Sequence, residues 1–268
     1  MIFGKAGVAQ LVEYKLPKLG VAGSRPVARS IHIAHPCLTN QVGVFCLGGD
    51  ESMAMIIMQG LLACLLLVSS AGAADEVVIA DFSTWRAAKE VPPDWELKVK
   101  SGKANILVAK DGDLAAVHLN SSNSSYSLQK GVKVDVKRYP LLSWKWKVTQ
   151  LPEGGDFRKS KTDDQAAQLF LAFSKTKAIV YIWDTTAPKG LMESTSPVPF
   201  MTVKVVVVRS GPAELGKWIT ETRNVYEDYK KLFGSEPPDV EGFRLQINSQ
   251  HTGTSAASSF ADVVFRKQ

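Results

Sequence analysis

Eight side chains are of types that do chemistry in pockets: Asp163, Asp164, Arg209, Trp218, Arg223, Asp228, Tyr229 and His251. The two adjacent carboxylates lie in a polar stretch, DFRKSKTDDQAAQ over residues 156–168, immediately before an apolar run. In an extended chain neighbouring side chains point apart, so one of the pair faces a loop while the other caps or binds. A glycosidase needs two carboxyls about 5 to 9 Å apart across a bond. Sequence neighbours seldom achieve that, so hydrolysis would require a distant partner such as Asp228. A calcium site needs six or more oxygens from several loops, with Asp163 or Asp164 as contributors. The commonest fate of such a pair is a surface salt bridge, here with Arg158 or Lys161. Arg223 in a strand and Asp228 at a helix start suit an ion pair that pins the two elements together.

Trp85, Trp95 and Trp218 flank loops, where a flat indole can stack on the C–H face of a pyranose. Trp144 and Trp146 instead share the apolar face of one strand and read as core, as do Tyr181 and Trp183 on a strand apolar on both faces. His118, in a strand, and His251, in a loop, are far apart in sequence. After residue 73 there is no HxH, HExxH or histidine–cysteine spacing, so a zinc hydrolase has no support. A G-x-S-x-G elbow, a P-loop and a G-x-G-x-x-G are equally absent. No catalytic residue, metal ligand or cofactor is therefore assigned. Ser121–Ser125 contains glycosylation sequons of the kind that arise easily in polar loops.

The elements that would position these side chains are strands. Leu142, Trp144, Trp146 and Val148 alternate with Ser143, Lys145, Lys147 and Thr149, a period of two with one wet face. Similar segments run over 77–82, 95–99, 106–109, 115–119, 126–129, 168–173, 179–183, 201–208, 217–225, 242–247 and 260–265. Only Tyr226–Phe233 looks helical, with Gly234 placed to stop it. Turn signals such as Asp111-Gly112, Glu153-Gly154-Gly155 and Ser210-Gly211-Pro212 separate the strands. About a dozen short strands without a βαβ rhythm predict a single antiparallel β-sandwich of jelly-roll or galactose-binding-like kind, with one short helix near 226–233.

The 268 residues carry 32 Lys and Arg against 26 Asp and Glu, a formal charge of +6, with 45% hydrophobic residues. That composition excludes a disordered chain, a collagen-like fibre and a disulfide mini-protein. All three cysteines (Cys37, Cys46, Cys64) fall in the first quarter. That quarter divides again. From Met53 an apolar run, Leu61–Val68, leads to Ala71-Gly72-Ala73, the small-residue pattern of a signal peptidase site. Cleavage is expected between Ala73 and Ala74, and the stretch is too interrupted for a membrane span. Lipidation at Cys64, in the loose lipoprotein-like Leu62-Ala63-Cys64, is the lesser reading. Residues 1–52 lack hydrophobic periodicity. Their words Gly7–Glu13 and Gly23–Val27 resemble a translated transfer-RNA gene, which marks a mis-annotated, disordered upstream extension with true initiation at Met53 or Met55.

The domain plan is thus extension 1–52, signal segment 53–73 and one sandwich over 74–268. That last part holds 27 basic and 23 acidic residues, a net charge of +4, and no cysteine. Disulfides, zinc thiolates and cysteine nucleophiles are excluded there, and a core must hold it. Its lysines are scattered, not clustered, which argues against nucleic acid as a partner.

Several phrases together resemble a bacterial family known only as domain of unknown function 3047. They are Pro140–Trp146, Leu151-Pro152 with Asp156 and Arg158, Asp163–Ala167, Val208–Gly211, Gly216–Trp218, Glu221–Val225, Asp228-Tyr229, and Phe233-Gly234 with Pro237-Pro238. The resemblance covers nearly all of 80–266 and implies an exported sandwich with no established activity. It implies an acidic Asp-Ser-Asp-Asn-Thr-Gly loop before the last strand. Here that loop reads Asn248-Ser249-Gln250-His251-Thr252-Gly253, so calcium is not supported at 248–253, since neutral amides offer weaker oxygens.

These readings lead to a periplasmic or secreted sandwich that binds a polysaccharide or another envelope ligand without catalysis. Two alternatives stand beside it. One is a glycan-active hydrolase using Asp163 or Asp164; the other is an envelope scaffold that binds protein. A stable membrane span in the mature form is not expected.

Overall fold

The alternation of apolar and polar residues becomes strands because one row of side chains can be buried while the other stays wet. A computed structural model describes residues 75–84, 91, 93–195 and 200–268. The expected upstream extension, the expected signal segment with Cys64 and its expected cleavage point, and Trp85 lie outside the described residues. In chain order the strands begin with β1 (Glu76–Ala80), β2 (Glu96–Ser101), β3 (Ile106–Asp111), β4 (Leu114–Ser122), β5 (Ser125–Val134) and β6 (Leu141–Gln150). They continue with β7 (Ala167–Ala172), β8 (Lys177–Asp184), β9 (Met192–Thr195), β10 (Thr202–Ser210) and β11 (Ile219–Asn224). Helix α1 (Val225–Phe233) intervenes before β12 (Val240–Asn248) and β13 (Ser255–Arg266).

Two sheets result, the β-sandwich expected from the sequence. One runs β11-β6-β13-β4-β3, and β1 pairs with the far half of β13; the other runs β2-β5-β12-β7-β8-β10-β9. Every pairing is antiparallel except β8 with β10, which is parallel. The exception has a simple origin. After β8 the chain skips one position, forms β9 at the edge, and returns as β10 between the two. The four-residue β9 was not foreseen, because Met-Glu-Ser-Thr carries too short a pattern.

The core lies between the sheets. Trp144 and Trp146 from β6 meet Tyr181 and Trp183 from β8, with ring centroids 5.5 Å apart for Trp144–Tyr181 and 5.8 Å for Trp146–Trp183. All four are essentially unexposed. The indole N–H of Trp183 donates to the Gly211 carbonyl at 3.0 Å, and that of Trp146 to Glu221 Oε1 at 3.2 Å. A second apolar cluster, including Phe157, Phe170, Val180, Ile182 and Val205, lies on the other side of the seven-stranded sheet. This is why β8 is apolar on both faces.

Helix α1 starts where β11 ends. Asn224 Oδ1 accepts the backbone N–H of Glu227 at 3.1 Å, and Gly234 at φ +67° closes the other end by donating to the Lys230 carbonyl. Among the described residues no helix is long and apolar enough to cross a membrane.

Candidate functional site

Four polar clusters collect the side chains singled out by type and spacing. The first is at one end of the sandwich, where the β6–β7 loop meets the β12–β13 loop. Asp163 and Asp164 do point apart. Asp163 accepts from Gln165 Nε2 at 3.0 Å, and Asp164, fully buried, accepts the Thr252 backbone N–H at 2.6 Å. The second Asp164 oxygen has no hydrogen-bond partner, and its nearest cation-capable neighbour is His251 Nδ1 at 3.8 Å. Burial pushes the Asp163 carboxyl above its ordinary value, against the opposing pull of the Gln165 amide. Neither carboxylate takes the anticipated Arg158 or Lys161 as partner. Arg158 instead grips Asp156 through Nε at 2.8 Å and Nη2 at 2.9 Å, because Asp156 is two residues away across a tight turn.

Asn248 explains the neutral loop. Its Oδ1 accepts from the Gln165 backbone N–H at 2.9 Å and from Gln168 Nε2 at 2.6 Å, while its Nδ2 donates to the Asp163 carbonyl at 2.7 Å. A carboxylate there could accept both but donate nothing. Gly155 belongs to the same end: a Cβ on it would lie 2.5 Å from the Asp164 carbonyl oxygen, so only glycine admits the close approach of the two backbones.

The second cluster ties α1 to the sheets. Arg223 donates to Asp228 Oδ2 through Nε at 2.9 Å and to Oδ1 through Nη2 at 2.5 Å, and Tyr181 donates its hydroxyl to Oδ2 at 2.8 Å. Burial first, and then the Asp228 charge, hold the Tyr181 phenol well above its ordinary value. Tyr229 is buried between Phe173 and Phe233, at centroid distances of 4.6 and 4.5 Å. The third joins the sheets: Arg209 in β10 donates to Glu221 of β11 at 2.6 Å and to Glu214 at 2.5 Å. These groups are mutually satisfied, as buried charges must be.

The fourth is the outer face of the six-stranded sheet, which sequence reading touched at His118, at Trp218 and at the wet face of β6. Here His118 Nδ1 lies 2.7 Å from Ser259 Oγ. Burial keeps the His118 imidazole below its ordinary value. Lys147 pairs with Asp111 and sits 5.3 Å from the Trp218 ring centre, while the Trp218 indole N–H donates to Asp111 at 3.0 Å. Strands β11 and β3 are four spacings apart, about 19 Å in a flat sheet. A hydrogen bond from Trp218, just before β11, to Asp111 at the end of β3 therefore requires the β3–β4 tip to fold over this face. It can do so because β13 stops pairing β4 at Phe260 and pairs β1 beyond a bulge. Asp262, at φ +48°, is the bulged residue, and it accepts from Lys145 Nζ at 2.7 Å.

Beside this bulge is an open groove of about 490 Å³ that crosses β1, β13, β6 and β11. Its floor is Val78, Ala80 and Val264; its polar groups are Glu76, Asp81, Ser143, Lys145, Thr220, Asp262 and Arg266. Arg266 donates to Glu76 at 3.1 Å. Asp81 accepts the Ser83 N–H at 2.8 Å, a bond that holds its carboxyl below the usual value. Among the described residues no group of three or more His, Cys, Asp or Glu side chains is arranged to hold a metal ion.

Fold and groove together define a two-sheet β-sandwich with a polar furrow on one outer face. The chain belongs to the family described as protein of unknown function (DUF3047), whose model matches residues 93–264. No curated protein matches it. Solved structures similar in fold include the xyloglucanase domain of NopAA, a type three effector from Sinorhizobium fredii, at 10% identity and TM-score 0.42 over 65% of this chain and 93% of that one. A family 11 carbohydrate-binding module of Clostridium thermocellum matches at 10% identity and TM-score 0.35, over 73% and 96%. The family 11 xylanase of Neocallimastix patriciarum matches at 8% identity and TM-score 0.37, over 72% and 100%.

Proposed function

We propose that this protein is exported to the periplasm or beyond and there binds a glycan, without transforming it, on the outer face of the six-stranded sheet. The observation that carries this reading is the groove. It crosses four strands, about 14 Å at the usual spacing, which suits a short stretch of oligosaccharide. An apolar floor beneath ion-paired and hydroxyl side chains matches a pyranose, whose C–H face is apolar and whose edge hydroxyls both donate and accept. Trp218, two residues before the groove-lining Thr220, adds an indole held in place by Asp111 and Lys147. A non-catalytic role follows from the carboxylates. Glu76 and Asp262 are engaged in ion pairs, and the Ser83 N–H holds the Asp81 carboxyl below its ordinary value, the opposite of what a general acid needs. Asp163 and Asp164 belong to the loop end, not to the groove.

A glycan array with the full chain tests the reading, and no binding to any glycan retires it. For a glycan that binds, Trp218→Ala should weaken affinity at least about fivefold, the effect of truncating one anchoring aromatic. Unchanged affinity would exclude Trp218 from the site. N-terminal sequencing of the native protein tests export; a mature start other than Ala74 would correct the cleavage point.

A further inference from the structure

The charges lining the groove do not balance. Glu76 pairs with Arg266 and Asp262 with Lys145, whereas Asp81 has no ion-pair partner among the described residues and accepts there from Ser83, through its backbone N–H and its side chain. Among the described residues the lining therefore carries one excess negative charge, although the chain as a whole is at +6. The excess sits next to the apolar floor, where Val78 is 52% exposed. A short oligosaccharide lying across that floor would bring substituents to Asp81 on one side and to Ser143 and Thr220 on the other.

Resting on the glycan-binding reading, we propose that the ligand of this groove is a glycan bearing free amino groups, a wholly or partly N-deacetylated hexosamine chain. Its ammonium groups donate to Asp81, and its hydroxyls meet the two ion pairs. An N-acetyl group at that place would remove the charge and leave Asp81 facing a neutral amide. Because the whole protein is basic, general attraction between macromolecules works against such a ligand. Preference for it must come from the groove itself.

The test compares hexamers of glucosamine and of N-acetylglucosamine binding to the full chain by calorimetry, at mildly acidic pH where the amines are protonated. The glucosamine hexamer should bind about fivefold more tightly or better, the scale of one exposed charge pair. Asp81→Asn should erase the difference by lowering the affinity for the glucosamine hexamer about fivefold, with circular dichroism showing that the variant is folded. Equal affinity, or preference for the acetylated chain, overturns the amino-sugar assignment but leaves glycan binding standing. So does a preference that survives Asp81→Asn. Equal binding of hexalysine shows recognition of charge alone and overturns it too. If no glycan of any kind binds, both readings fall together.

Discussion

Asn248 shows how much one side chain type can decide. It closes three hydrogen bonds between the two loops at one end of the sandwich, and one of them requires a donor. Asn248→Asp would lose the bond to the Asp163 carbonyl and place a further negative charge beside Asp163 and Asp164. Urea unfolding should show a loss of about 1 to 3 kcal/mol, the cost of a buried polar group left unpaired. The nearby Asp164 oxygen with no hydrogen-bond partner is already one such cost. Arg223, Asp228 and Tyr181 are the opposite case, a set in which both Asp228 oxygens are occupied. Their types suggested chemistry; their contacts describe a rivet between helix and sheet. That rivet was legible from the sequence as one of two readings. The groove was not, because Glu76, Asp81, Lys145, Asp262 and Arg266 are spread over some 190 residues of the sequence.

At the scale of elements, α1 depends on its ends more than on its length. Nine residues are too few to be stable alone in water, so capping and the burial of Val225 and Tyr229 hold it. Asn224→Ala should cost about 1 kcal/mol, seen as a lowered urea midpoint with an unchanged slope. The predicted helix began one residue late, at Tyr226, because Val225 is also a good strand residue; the chain turns there only when Asn224 caps. Strand β13 carries the other decisive local feature. Its bulge at Asp262 hands the strand from β4 to β1 and aims a carboxylate into the groove. Nothing in Phe260-Ala261-Asp262-Val263-Val264 marks a bulge, since a non-glycine residue at positive φ has no sequence signature of its own.

At the scale of the molecule, acid should act through opposed groups. The ion pair with Arg158 holds the Asp156 carboxyl far below its ordinary value. Its contribution is fully present above the unfolded value of about 3.9 and is lost as pH falls toward the folded one. Asp163 and Asp184 are raised, chiefly by burial. Their contribution has the reverse sign: present below about pH 3.9 and lost as pH rises through their folded values. Asp163→Asn should therefore melt at a higher temperature than the parent at pH 7, with the gap closing as pH falls to about 3. A gap that persists at low pH would show that charge burial is not its cause.

Alternation along the chain was enough to determine that this protein is a β-sandwich, that Trp144 and Trp146 lie in its core, and that Lys145 and Lys147 face outward. Each is a local consequence of a period of two meeting a boundary between water and apolar matter. Strand order, the parallel β8–β10 pair and the groove are different in kind. They depend on which distant segments pair and on where a bulge redirects a strand, and those choices are made by packing energies summed over the whole domain. The residues that line the groove became neighbours only when β1, from the start of the described chain, paired with its last strand.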